Sequence, residues 1–138
     1  MLVGVIAGCH TDNSNSVNPN DPLYRTWRHV SFTNTDGSKT DYAESVYTIL
    51  TFKPNGTILY GKESNLIPCC TPIKFKRKSN VLDLDDISSI SYPVGKSYGD
   101  CSLMYCAVQY GKWEITNLTV QQLIIQTKYG TDTYQPYP

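Results

Sequence analysis

The stretch Val46-Tyr47-Thr48-Ile49-Leu50-Thr51-Phe52, followed by Lys53-Pro54-Asn55-Gly56-Thr57 and the return Ile58-Leu59-Tyr60, constrains the fold more than any other part of the chain. β-Branched and aromatic residues suit a pleated, half-buried surface, and Asn-Gly between two such runs is the strongest short-range hairpin signal. Similar runs predict further strands at Tyr24 to Thr33, Ile73 to Lys78, Val81 to Leu84, Leu103 to Tyr110, Lys112 to Thr116 and Gln122 to Tyr129. Asp-Gly, Pro-Cys, Ser-Asn, Tyr-Pro, Tyr-Gly and Asn-Leu-Thr punctuate them. No apolar stripe of helical period and useful length interrupts the pattern. About seven or eight short antiparallel strands in chain order predict an all-β domain, an antiparallel up-and-down β-barrel or closed meander, which hides the edges that invite aggregation.

The N-terminus reads differently. The apolar run Leu2 to Ala7 is far shorter than the roughly 20 residues of a membrane-spanning helix. A buried first strand would suit Leu2, Val3, Val5 and Ile6, but Gly4 and Gly8 weaken it. An uncleaved secretory signal is a further alternative. The residues Ile6-Ala7-Gly8-Cys9 resemble a bacterial lipoprotein signal, whose lipobox ends in Gly-Cys because only small side chains fit beside the bond that is cut. That resemblance makes Cys9 the lipidated residue, implies three acyl chains on it, and makes residues 1–8 the remnant of a signal that starts further upstream. Residues 10–22 are almost all Asn, Asp, Ser, Thr and Pro, with Val17 the one aliphatic residue. Such a segment buries too little surface to offset the entropy of ordering. The expected organisation is a lipid-anchored flexible tether over 9–22 and a β-barrel domain over 23–138. A flexible linker spans about 5–6 Å times the square root of its length, which sets the domain a few nanometres from the membrane. His10 stands where inner-membrane retention places an aspartate, so the outer membrane is expected over the inner.

Charge defines no partner. Lys plus Arg equals Asp plus Glu at 12 each, so no long-range field steers the chain to nucleic acid. Lys74-Phe75-Lys76-Arg77-Lys78 reads as an exposed strand with an inward Phe rather than as an anionic-headgroup or nucleic-acid patch. Tyrosine, at 11 residues against three Phe and two Trp, suits strand faces that are half wet.

With Cys9 assigned to lipid, Cys69, Cys70, Cys101 and Cys106 remain. An even set in an exported protein predicts two disulfides. A Cys69–Cys70 bridge would form a strained eight-membered ring, so both bridges are expected between the two segments, in either of the two possible pairings. Each closes a loop of about 35 residues, for which chain entropy gives roughly 3.5–4 kcal/mol, less any native strain and with the second adding less. Zinc is the competing use of four thiols, but structural sites space their paired ligands two to four residues apart, and adjacent cysteines do not.

Catalytic patterns are thin, and no enzyme activity, metal or cofactor is expected. His10 lies in the tether, so any triad would rest on His29, and a lone strand histidine is ordinarily structural. Asp83-Leu84-Asp85-Asp86 lacks the Gly and the late Glu of a twelve-residue calcium loop and reads as a solvated strand end. The sequons at Asn55 and Asn117 matter only in a eukaryotic source.

Thr26-Trp27 near the start of the first strand, Leu50-Thr51-Phe52-Lys53-Pro54-Asn55-Gly56-Thr57, Trp113-Glu114-Ile115-Thr116-Asn117-Leu118-Thr119 and the final Leu123-Ile124-Ile125 together resemble the small lipocalin-like lipoproteins of Bacteroidota. The resemblance spans roughly residues 23 to 130 in the order that family shows, and implies a lipocalin-like barrel held at the cell envelope. Two functions follow as expectations. In one, the barrel binds a small apolar or amphipathic molecule, with Trp27, Phe52, Tyr60 and Trp113 as its lining or floor. In the other, side chains fill the interior and the domain is an interaction or assembly module for an envelope protein.

Overall fold

The computed structural model describes residues 17–106 and 109–138. Cys9, the expected signal remnant and the first part of the tether lie outside the described residues. Eleven strands follow in order: β1 (Thr26–Asn34), β2 (Lys39–Asp41), β3 (Ile49–Phe52), β4 (Ile58–Tyr60), β5 (Leu66–Pro68), β6 (Lys76–Lys78), β7 (Val81–Asp83), β8 (Lys96–Tyr98), β9 (Lys112–Leu118), β10 (Leu123–Thr127) and β11 (Gly130–Pro136). A 3-10 turn at Cys101–Leu103 is the one helical element among the described residues. The all-β class expected from the sequence is what the chain adopts.

The β3–β4 hairpin forms with Phe52 opposite Ile58. Its loop is three residues long, with Gly56 N–H donating to Lys53 O at 3.1 Å and Lys53 N–H to Thr57 O at 2.8 Å. Pro54 presets φ for the first turn position, and Gly56 takes φ +85°, the left-handed residue that ends such a loop. Any side chain at Gly56 would also run into Phe75 O, 2.6 Å from the Cβ position.

The strands form one sheet in the order β6-β7-β9-β10-β11-β1-β3-β4-β5-β8, with β2 beside β1. Neighbours mostly follow one another along the chain, and β11 returns to pair with β1, as in a ring. The ring does not close into the expected barrel. On its free edge, β4 meets two partners: Tyr60 pairs with Leu66 of β5, while residues 73–75 meet its start through Ile58 N–H to Ile73 O at 2.9 Å and a single Thr57–Lys74 bridge. A three-residue edge cannot carry both as one ladder, so the sheet splays there.

Nor is every pairing antiparallel. β5 and β8 run parallel, Leu66 against Lys96 and Pro68 against Tyr98. The disulfides Cys69–Cys101 and Cys70–Cys106 explain the direction. Cys69 follows β5 and Cys101 follows β8 closely, so joining them, with Cα atoms 5.5 Å apart, sends both strands toward the same end. The pairing left open by the sequence is thereby settled. Among the described residues of the span Leu103 to Tyr110 no strand forms: residues 101–106 form the 3-10 turn and an exposed loop held by the two bridges, with Asp100 accepting Ser102 N–H at 3.0 Å.

The sheet curls around a core that includes Trp27, Phe52, Ile58, Phe75, Leu82 and Leu123, all essentially inaccessible to solvent. Burying one such side chain contributes roughly 1.5–3 kcal/mol. Leu23 also reaches this core and accepts the Trp27 indole N–H on its carbonyl at 3.0 Å. The expected tether therefore ends in an ordered turn, fixed further by Arg77 Nη1 2.7 Å from Asp21 Oδ2. At the sheet edge, β6 carries Lys76 and Lys78 outward, a charge placement that discourages pairing with another chain.

Candidate functional site

Two β-bulges shape one end of the curled sheet. Register shifts between His29 and Ser31 on β1 against β11, and between Ile124 and Ile125 on β10 against β9. The extra residue, Val30 on β1 and Thr116 on β9, bends its strand and re-aims the side chains beyond it. On the concave face, Phe32 lies opposite Asp132, Asp132 opposite Ile125, and Ile125 opposite Ile115. Trp113 and Thr127 sit two residues from Ile115 and Ile125, so they share that face. The buried core thus continues upward into a half-open mouth.

The mouth encloses about 270 Å³ and is walled by Phe32, Tyr42, Tyr110, Trp113 and Tyr129, with Asp132 beside them and Gln109 and Thr127 completing the rim. Below it, His29 lies between two tyrosines, its ring centroid 4.7 Å from both Tyr42 and Tyr134. His29 Nε2 is 2.7 Å from Asp132 Oδ1, yet the approach is oblique and gives that nitrogen no aligned hydrogen bond. The contact is therefore a close approach rather than a directed bond, and both side chains are mostly buried, at 18 % and 14 % exposure.

Backbone contacts fix the walls. Tyr42 donates its N–H to Val30 O at 3.0 Å and accepts from Arg28 Nη2 at 3.2 Å. Asp85 takes Tyr110 N–H on one carboxylate oxygen at 3.1 Å and Gly111 N–H on the other at 3.0 Å. Asp83 in turn accepts the N–H groups of Asp86 and Asp85, and these bonds lower its pKa below the ordinary carboxylate value. The acidic run is therefore a set of turn caps that holds the mouth wall. Burial raises the pKa of the Tyr110 phenol. Burial, then the Asp132 charge, pushes that of Tyr134 up strongly. Both hydroxyls are thus protonated donors at neutral pH.

Of the four residues expected to line a site, Trp113 is in the mouth. Trp27, Phe52 and Tyr60 are buried in the core beneath, where Phe52 packs edge-on to Phe75 at 5.6 Å and Tyr60 donates its hydroxyl to Pro72 O at 2.8 Å. Cys9 lies outside the described residues. Phe32, Tyr42, Tyr110, Tyr129 and Asp132 were not singled out by the sequence. Two other hollows are present. One, of about 500 Å³, separates the Val17–Tyr24 turn from β6, where the charged pair Arg77–Asp21 is already satisfied. The other, of about 360 Å³, adjoins the Lys62–Glu44 pair, 2.8 Å apart. Among the described residues, no group of three His, Cys, Asp or Glu side chains is placed to hold a metal ion.

No family model, no curated protein and no solved structure matches this chain.

Proposed function

We propose that this chain is a cell-envelope lipoprotein of lipocalin-like type, anchored through Cys9, at the outer membrane rather than the inner. Its β domain binds a small amphipathic molecule in the aromatic mouth and performs no catalysis. The observation that carries the binding role is the mouth itself: five aromatic rings around about 270 Å³, with one carboxylate and the amide of Gln109 at the rim. An apolar wall with few polar groups is the usual character of a small-molecule site, and the mouth of a curled sheet is a usual place for one. Lipidation is supported by Ile6-Ala7-Gly8-Cys9 and the polar residues after it.

Two experiments test the parts separately. Replacing Cys9 with Ser in the full-length gene should move the protein from the membrane to the soluble fraction; an unchanged distribution and intact mass would refute lipidation. Titrating the purified chain with envelope lipid extract while following tryptophan emission should give a saturable change, and Trp113→Ala should abolish the heat of binding measured by calorimetry without loss of fold. A flat response refutes the ligand-binding role.

A second reading has its own observation. Leu103 and Tyr105, on the disulfide-bounded loop, are 88 % and 94 % exposed, an apolar display that suits a protein partner. In that reading the domain is an interaction or assembly module, and Leu103→Asp or Tyr105→Asp would abolish its association while leaving the mouth intact.

A further inference from the structure

The mouth has a preference of charge as well as of shape, if it is the ligand site proposed above. Its walls are aromatic side chains, and an aromatic face carries the negative side of its quadrupole. Asp132 places a carboxylate at the same point, mostly buried, and its one close approach to a basic side chain among the described residues, the oblique one to His29, forms no aligned hydrogen bond. Neither Lys nor Arg lines the cavity. Tyr129 already takes one cation on its ring outside the lining, Lys128 Nζ at 4.9 Å from the ring centroid.

Size points the same way. Liquid water takes about 30 Å³ per molecule, so 270 Å³ corresponds to about nine waters. That is room for a compact head group.

We propose that the mouth binds an organic ammonium head group, a primary or methylated amine, with Asp132 as its counter-charge and Tyr110, Trp113 and Tyr129 as the rings against which it rests. The inference deepens the ligand-binding role and depends on it. A cation over an aromatic face gains most where water is excluded, and a carboxylate in the same half-buried space adds attraction that bulk solvent screens little.

Choline chloride and its uncharged counterpart of the same shape, 3,3-dimethylbutan-1-ol, distinguish the possibilities. Each is titrated into the purified chain by calorimetry, with tryptophan emission as a second readout. Choline is expected to saturate with an affinity at least about tenfold above that of the alcohol. Asp132→Asn should bring choline close to the alcohol's affinity and leave the alcohol unchanged, with circular dichroism as the check on folding. Equal affinity for both compounds in the unaltered chain overturns the ammonium assignment and leaves an apolar site. An undiminished choline advantage in Asp132→Asn overturns the role of Asp132. No saturable signal from either compound overturns the ammonium assignment, and the lipid-extract titration above then decides whether the ligand-binding role stands.

Discussion

The carbonyl of Val30 accepts the N–H of Tyr42 at 3.0 Å, and this bond joins the bulge of β1 to the mouth. Val30 is the extra residue where the register shifts between His29 and Ser31. In a regular strand His29 and Phe32, three positions apart, would face opposite sides. The inserted residue puts both on the concave face, opposite Tyr134 and Asp132. The Val30–Tyr42 bond then sets the Tyr42 ring 4.7 Å from the imidazole of His29.

Tyr42 therefore contributes to the mouth as a ring more than to stability as a core residue. Tyr42→Ala is expected to weaken ligand binding by about three- to tenfold, the range of an aromatic contact in a site of this kind. Tyr42→Phe should retain the affinity of the unaltered chain. Thermal melting of both variants should stay within a few degrees of it. A loss in Tyr42→Phe equal to that in Tyr42→Ala would place the role in the hydroxyl instead.

Asp85 offers a second handle on the same wall. Its carboxylate holds the N–H groups of Tyr110 and Gly111, but it is itself exposed, so little global stability depends on it. Asp85→Ala should speed hydrogen exchange at the amides of Tyr110 and Gly111 and lower ligand affinity, while changing unfolding free energy by no more than about 1 kcal/mol. Unchanged exchange at those two amides would show that the wall is held from elsewhere.

What the sequence made legible follows its periodicity. The β3–β4 hairpin, β1, β7, β9 and β10 coincide with β-branched or aromatic runs, because in them packing and local preference agree. β11 reads Gly-Thr-Asp-Thr-Tyr-Gln-Pro, and only Tyr134 and Gly130 in it are buried. Its place between β1 and β10 comes from their open backbone groups rather than from its own side chains. β8 is exposed along its whole length and is positioned by the Cys69–Cys101 bridge, which no local pattern announces. Residues 103–106 show the opposite case: apolar enough for a strand, they are held by disulfides away from any ladder. The mouth was hidden for a related reason. Phe32, Tyr42, Trp113 and Asp132 are far apart in sequence and converge only through two bulges, whose single inserted residues leave no compositional trace.

The two disulfides should differ in function although their loops are similar in length. Cys69–Cys101 fastens β8, an exposed strand remote from the mouth. Cys70–Cys106 fastens the chain three residues before Gln109, which lines it. Replacing either pair with Ser is expected to cost roughly 2–4 kcal/mol. Only the Cys70→Ser, Cys106→Ser variant should also weaken ligand binding, measured at a temperature where both variants are folded. Equal binding in the two variants would mean that Asp85 alone suffices to hold the Tyr110 wall.

The last prediction concerns alkaline pH. Tyr60 and Tyr134 are both buried, and burial is the first cause that pushes their phenol pKa values well above 10. In the unfolded chain the same groups ionise near pH 10. Between that pH and their folded pKa values, the folded protein keeps two protons that the unfolded chain has released. Stability that is fully present below pH 10 is then lost as pH rises, because the unfolded state binds fewer protons. The expected slope is about 1.4 kcal/mol per pH unit for each tyrosine, so roughly 2.8 for the pair. Tyr60→Phe removes one titrating group together with its hydrogen bond to Pro72 O. It should lower stability at pH 7 by about 1 kcal/mol and halve the alkaline slope, so that the variant's stability overtakes that of the unaltered chain about one pH unit above 10. Urea unfolding at half-unit steps from pH 7 to 11.5 measures both quantities. Parallel curves for the two proteins above pH 10 would show that Tyr60 does not carry its share of the alkaline loss.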